Sequence, residues 1–161
     1  MEYITDALLD DLSAQAAQNA RLRMNHNFHR SMDDPIHRML NALEPGTYIP
    51  PHRHLCPAKA ESFLVLRGEL ALFFFDEDGN VSDYRVVSPD RGTYGAEIPA
   101  GTWHSMLALR PGTVIYEVKP GPYRPIAPED LAAWAPSAAD AQAVSLYLES
   151  LQAMVDSMAC S

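Results

Sequence analysis

The chain has 161 residues, 47% of them hydrophobic and 20% charged, with a formal net charge of −9. That length suits one domain able to bury about 70% of its unfolded surface, and the composition is that of an ordinary globular protein. The acidic balance argues against nucleic acid as a partner, which would need clustered Lys and Arg, and no apolar run approaches the roughly 20 residues of a membrane span.

The opening residues, MEYITDALLDDL, are acidic where a secretory leader would be basic and then strongly apolar, so a cytoplasmic protein is expected. Two cysteines, Cys56 and Cys160, lack any framework spacing, which suits a reducing compartment. Cys56 reads as a half-exposed loop thiol rather than a ligand. Cys160, one residue from the end, is expected to fray.

Residues 6–20 carry Leu8, Leu9, Leu12 and Ala16 at helical spacing, with Thr5 as N-cap and Asp6, Asp10 and Asp11 near the positive end of the dipole. This predicts an amphipathic helix packed on the remainder of the chain. Residues 21–29 alternate as a strand does. Leu22, Met24, His26 and Phe28 share one face, and Arg23, Asn25, Asn27 and His29 the other. That second face either meets solvent or lines a pocket for an anionic or hydroxyl-rich ligand.

Asp33-Asp34-Pro35 predicts a turn, and residues 36–43 a strand that ends before Glu44-Pro45-Gly46. His37, alone at the start of that strand, reads as structural. Residues 61–75 predict two strands joined at Gly68, where a missing Cβ permits positive φ. The Asp-Gly pair in residues 76–80 predicts a hairpin, and strands follow at 81–88, 94–98, 103–109 and 113–118. Many short strands with frequent turns indicate an all-β sandwich or barrel. Beyond Gly121 a proline-rich extended segment offers Tyr123 and Arg124 to reach back over the barrel mouth. A helix over 137–158 then shows Val144, Leu148, Leu151, Val155 and Met158 as an apolar stripe, for packing on this domain or on a second subunit.

The stretch that organises all this runs from Gly46 to Gly68, GTYIPPHRHLCPAKAESFLVLRG. Residues i and i+2 of a strand point the same way, so His52 and His54 would aim their imidazoles into one space. A following strand carrying Glu61 can bring a carboxylate beside them, and the Pro99–Gly101 turn presents His104 from a later strand. Three imidazoles and a carboxylate suit a divalent first-row metal: Fe2+, Mn2+, Ni2+ and Zn2+ all accept the set. One or two coordination positions would remain for water or substrate.

These residues resemble the two signature motifs of the cupin superfamily. The first, G-x5-H-x-H-x(3,4)-E-x6-G, is met by Gly46, His52, His54, Glu61 and Gly68, with six residues rather than three or four before Glu61. The second is met by Pro99, Gly101 and His104, with Gly92 one position early and Ala108 in place of the terminal Asn. The long gap leaves open whether Glu61 ligates directly. More narrowly, RLRMNHNFHR, PPHRH, AESFLVLRG, EIPAGTWHS and VKPGPYRPIAPEDLAAWAP resemble the WbuC family of cupin-fold metalloproteins.

The resemblance implies a double-stranded β-helix, or jelly-roll barrel, with an N-terminal helix and C-terminal helices. It covers roughly residues 1–136 and, with the length and the tail stripe, gives a single cupin domain over 1–161: helix and strand in 1–35, barrel core in 36–120, extended segment and helix in 121–161. It places Arg23, Asn25, Asn27, His29 and Tyr123 in a ligand pocket. It further implies a homodimer and an O-antigen setting, with a small polar molecule, a sugar or sugar nucleotide, as ligand. Two functional classes stay open. In one, a metal-dependent enzyme of isomerase, lyase or dioxygenase type uses Glu61, if it is not a ligand, or Glu117 as base and Tyr94 or Tyr123 as acid. In the other, a non-catalytic sugar-binding barrel holds a structural metal.

Overall fold

The computed structural model describes residues 1–159. Helix α1 (Asp6–Gln18) is followed by strands β1 (Arg23–Asn27), β2 (Ile36–Leu43), β3 (Glu61–Arg67), β4 (Leu70–Phe75), β5 (Val81–Val87), β6 (Gly95–Ile98), β7 (His104–Ala108) and β8 (Thr113–Pro120), and by helix α2 (Ala141–Ala159). The strands form two antiparallel sheets, of order β1-β2-β8-β3-β6 and β5-β4-β7. Among the described residues, no helix is long and apolar enough to cross a membrane. The terminal Cys160 lies outside the described residues, as does the side chain of Met158.

The sequence explains the layering. In β3, Glu61, Phe63 and Val65 are buried while Ser62, Leu64 and Leu66 point outward, the period of two of a half-buried strand. Phe63, Val65, Leu72, Val87, Ile98, Met106 and Ile115 meet between the sheets as the central core. Truncating such a side chain, for example Leu72→Ala, is expected to cost about 2–5 kcal/mol. Strand β4, LALFFF, is apolar on both faces because its other face is also covered: Phe73 and Phe75 pack with Trp103, Leu107 and, from α2, Leu151 and Val155. Leu148, Leu151 and Val155 of the stripe expected in the tail thus land on the three-stranded sheet.

At the other side, α1 buries Leu9, Leu12 and Ala16 against Leu40, Ala42 and Val114 of the five-stranded sheet, with Met24 and Phe28 beside them. Thr5 caps the helix, its Oγ1 accepting from the Leu8 amide at 3.3 Å. The packing of Met24 and Phe28 turns Arg23 and Asn25 toward the interior of the barrel. Gly68 sits at φ 84° in the β3–β4 turn, where a Cβ would lie 2.7 Å from the Thr113 Cα; only glycine fits there.

Candidate metal centre

His52 does not lie in a regular strand, as the alternation argument assumed. It belongs to an extended segment held by isolated bridges to His104 and Leu131. The bridge to His104 exchanges both backbone bonds, His52 N–H to His104 O at 3.1 Å and His104 N–H to His52 O at 2.9 Å. The two residues are therefore directly opposed, and their ring centroids stand 4.4 Å apart. The alternation survives without the strand. Arg53 points away from its neighbours, to Asp130, to Glu77 and over the Trp103 ring, while His52 and His54 face inward. The turn at Gly101 grips His54 through Gly101 N–H to His54 O at 3.0 Å. The six residues after His54 form a short loop closed by a Leu55–Ala58 bridge, so Glu61 still opens β3 inside the barrel.

The ligating atoms of His52, His54, Glu61 and His104 all lie within 4.8 Å of one another, a group able to hold a metal ion. Nε2 of His104 is 2.7 Å from Glu61 Oε1, and Nε2 of His54 is 3.3 Å from Glu61 Oε2. Two rings are oriented by the same device. His52 Nδ1 donates to the Pro50 carbonyl at 2.9 Å, and His104 Nδ1 to the Thr102 carbonyl at 2.8 Å, each two residues back. With those protons fixed on Nδ1, each neutral ring turns an Nε2 lone pair inward.

Nε2 of His104 thus faces a carboxylate oxygen, acceptor against acceptor, and the buried Nε2 of His54 has no hydrogen-bond partner. A divalent cation satisfies all of these atoms at once. The residues fit the metal.

Electrostatics agree. Burial, and then the charge of His104, pushes the His52 pKa down to about 3, so the ring is neutral at pH 7, as a metal ligand must be. Burial pushes the Glu61 carboxyl up, but the adjoining His104 and His54 rings and the charge of Lys119 outweigh burial and hold it below the usual carboxylate range. Lys119 lies 3.7 Å from Glu61 Oε2 and pairs with Glu117. Burial pushes its ammonium down, and the charges of Glu117 and Glu61 prevail to hold it above its ordinary value.

The centre opens into a cavity of about 230 Å³, whose polar walls include Arg21, Arg23, Asn25, Asn41, Glu117 and Lys119. Asn41 Nδ2 donates to Glu117 Oε2. Arg23 is held by a bond from Nη1 to the Tyr48 carbonyl at 3.0 Å.

The other expected site residues are placed elsewhere. Asn27 does not line the cavity. His29 stacks on His37, ring centroids 4.1 Å apart and planes at 2°. Tyr123 lines a second chamber behind His52 and His54, and His37 lines it too. Tyr94, proposed as an acid, is 62% exposed on the outer face of the five-stranded sheet, beside Leu64 and Tyr116. It stands there because the β3–β6 pairing turns that part of the chain outward, and it has no place in the cavity.

Sequence reasoning missed Lys119 and Asp130. Lys119 had a signal: it sits two residues from Glu117 on β8, hence on the same face. Asp130, 3% exposed, accepts from the amides of Leu55 at 3.1 Å and Cys56 at 3.0 Å and from Arg53 Nε at 3.3 Å, fastening the loop that carries His52 and His54. Nothing in its local sequence announces this.

A family model described as a domain of unknown function, DUF6016, matches residues 4–87, just over half the chain. The chain belongs to that family. No curated protein matches it in sequence. Among solved structures, it is similar to BH2720 from Bacillus halodurans, at 19% identity and a TM-score of 0.51, covering 79% of this chain and 86% of that one. It is also similar to CapF solved with the inhibitor 3-isopropenyl-tropolone, at 23% identity and a TM-score of 0.50, over 63% of this chain but only 28% of CapF. A cupin superfamily protein from Desulfitobacterium hafniense DCB-2 aligns at 14% identity and a TM-score of 0.48, over 61% of this chain and 76% of that one. The fold of this DUF6016 member is a cupin β-barrel, with a helix at each end.

Proposed function

We propose that this DUF6016 cupin is a metal-dependent enzyme acting on a small polar molecule of single-sugar size. The carrying observation is a carboxylate separate from the ligand set: Glu117 opens on the same cavity as His52, Glu61 and His104. When bound, the divalent metal supplies a Lewis acid for a carbonyl or hydroxyl oxygen of the ligand. Glu117, oriented by Asn41 and Lys119, takes or returns a proton at its Oε1. Lys119 pairs with Glu117, and its charge helps to hold Glu61 below the usual carboxylate range. Arg23, Asn25 and Asn41 orient hydroxyl or anionic groups.

A cavity of about 230 Å³ is below the roughly 300–1,000 Å³ usual for drug-sized ligands, which favours one sugar ring or a small acid. The Glu117–Lys119 pair opens on the same cavity as the ligand set and is separate from it, and this favours the enzyme over a non-catalytic barrel.

The finer setting rests on motif resemblance: a cytoplasmic WbuC-type cupin in O-antigen metabolism. A homodimer belongs to the same reading, supported by Ile36, Leu64 and Tyr94, which are 54%, 52% and 62% exposed on the outer face of the larger sheet. The deciding experiment is elemental analysis of protein purified without a metal-affinity tag. About one iron, manganese, nickel or zinc per chain, lost in His104→Ala, is the expected result. No metal in the wild type after reconstitution would overturn the reading.

A further inference from the structure

Behind the wall formed by His52 and His54 lies a second chamber of about 150 Å³. His52 and Lys119 line it as well as the main cavity, so the two spaces adjoin at these residues. It is also lined by Tyr123 and Arg124 of the extended segment after β8 and by Lys59.

The charge distribution is the telling feature. The protein carries 21 acidic against 12 basic side chains, and only two of the latter are lysines, Lys59 and Lys119. Both lysines line this one chamber, with Arg124 as a third cation. The acid that lines it, Asp130, has its carboxylate committed to the Leu55 and Cys56 amides and to Arg53. Lys59 Nζ makes one bond, to the Pro122 carbonyl at 2.7 Å, which leaves two of its three donors for another acceptor. Lys119 is already paired with Glu117 and Glu61, whereas among the described residues neither Lys59 nor Arg124 forms an ion pair. Concentrating like charges in an acidic protein costs free energy unless an anion joins them.

We infer that this chamber is an anion subsite, in which Lys59 and Arg124 hold a phosphate or carboxylate group of the small molecule whose other end reaches the metal centre. The inference rests on the proposed function for the second half of that sentence only. A monosaccharide phosphate or a short hydroxy acid would satisfy both spaces: hydroxyls to Asn25 and Asn41, the anionic group to Lys59 and Arg124.

The test is calorimetric titration of the full chain, both metal-loaded and chelator-treated, with inorganic phosphate and with malonate. Binding of either anion to the chelated protein, weakened at least tenfold in Lys59→Ala/Arg124→Ala with metal content unchanged, is the expected result. Stronger binding of phosphate marks a phosphate ester as the source, and stronger binding of malonate a carboxylate. Two results would overturn the subsite: no binding of either anion at millimolar concentration, or equal binding by the double variant. Circular dichroism spectra matching the wild type establish that the variant is folded, and Lys59→Met, which keeps most of the apolar stem and removes the charge, serves in its place if it is not. Absence of metal would remove the proposed function and leave the anion result standing.

Discussion

Two groups of histidines lie in the same barrel, and only one has the makings of a metal centre. His29 and His37 are 7% and 2% exposed and stacked at 4.1 Å, closer than any two rings of the His52–His54–His104 trio. Yet the pair is met by backbone alone: His37 Nε2 by the Met32 carbonyl at 3.1 Å, and His29 Nδ1 by the Arg38 backbone. The trio surrounds a carboxylate, and two of its rings have their Nδ1 protons fixed by carbonyls, which turns Nε2 inward. Proximity of imidazoles is therefore not the criterion. A shared anion and a fixed tautomer are.

The largest expected effect separates the two groups outright. His104→Ala should reduce bound metal from about one ion per chain to a trace, while His29→Ala/His37→Ala should retain it; elemental analysis of both reads the difference. Metal loss in the second variant would erase the distinction. Glu61→Gln comes next. It preserves shape but removes the anion, and metal affinity by competition with a chelator should fall by more than the roughly 10–100-fold that outer partners are worth.

A smaller effect is expected from Asp130→Asn, which keeps the ligands and loosens the loop beneath them. Affinity should drop roughly tenfold, and stability by about 1.5–3 kcal/mol for the weakened charged hydrogen bonds. The pH dependence carries a sign. Burial raises the Asp130 pKa, but the Cys56 and Leu55 amides and Arg53 outweigh it and hold it below its ordinary value. Its contribution is therefore present above about pH 4 and lost as pH falls through the lower folded value. Thermal melts of the variant should be flatter than wild type on that acid limb. An unchanged limb would dissociate Asp130 from the loop.

The sequence reader could see His52, His54, Glu61 and His104, because ligand chemistry demands particular residue types and the Pro-Ala-Gly turn marks the last of them. Strand faces were legible where apolar and polar residues alternate, as in β1 and β3. What stayed hidden depends on long-range placement. Tyr94 reads like an acid near the second motif, but the β6 edge directs it outward. Asp130 lies 78 positions after His52 in a segment without regular structure, and its role exists only once the extended segment folds back across the loop. His29 shares the alternation of Arg23 and Asn25 but falls past the end of β1 at Asn27, where the chain leaves the sheet and the ring turns to His37.

The smallest expected effect concerns that ring, and its sign is informative. His29 Nε2 is buried without a partner, while Nδ1 meets only the Arg38 backbone, 3.2 Å from its carbonyl and 3.3 Å from its amide. Phenylalanine in this place keeps a flat ring against His37 and discards both nitrogens. Losing the Arg38 bond costs about 0.5–1.5 kcal/mol, and relieving an unsatisfied buried polar atom returns about 1–3 kcal/mol. His29→Phe should therefore leave stability within about 1 kcal/mol of wild type, or raise it, with metal content unchanged. Urea unfolding followed by tryptophan fluorescence measures the difference. A loss above about 2 kcal/mol would mean that His29 Nε2 does have a partner, and the contrast between a structural pair and a ligand trio would have to be redrawn around it.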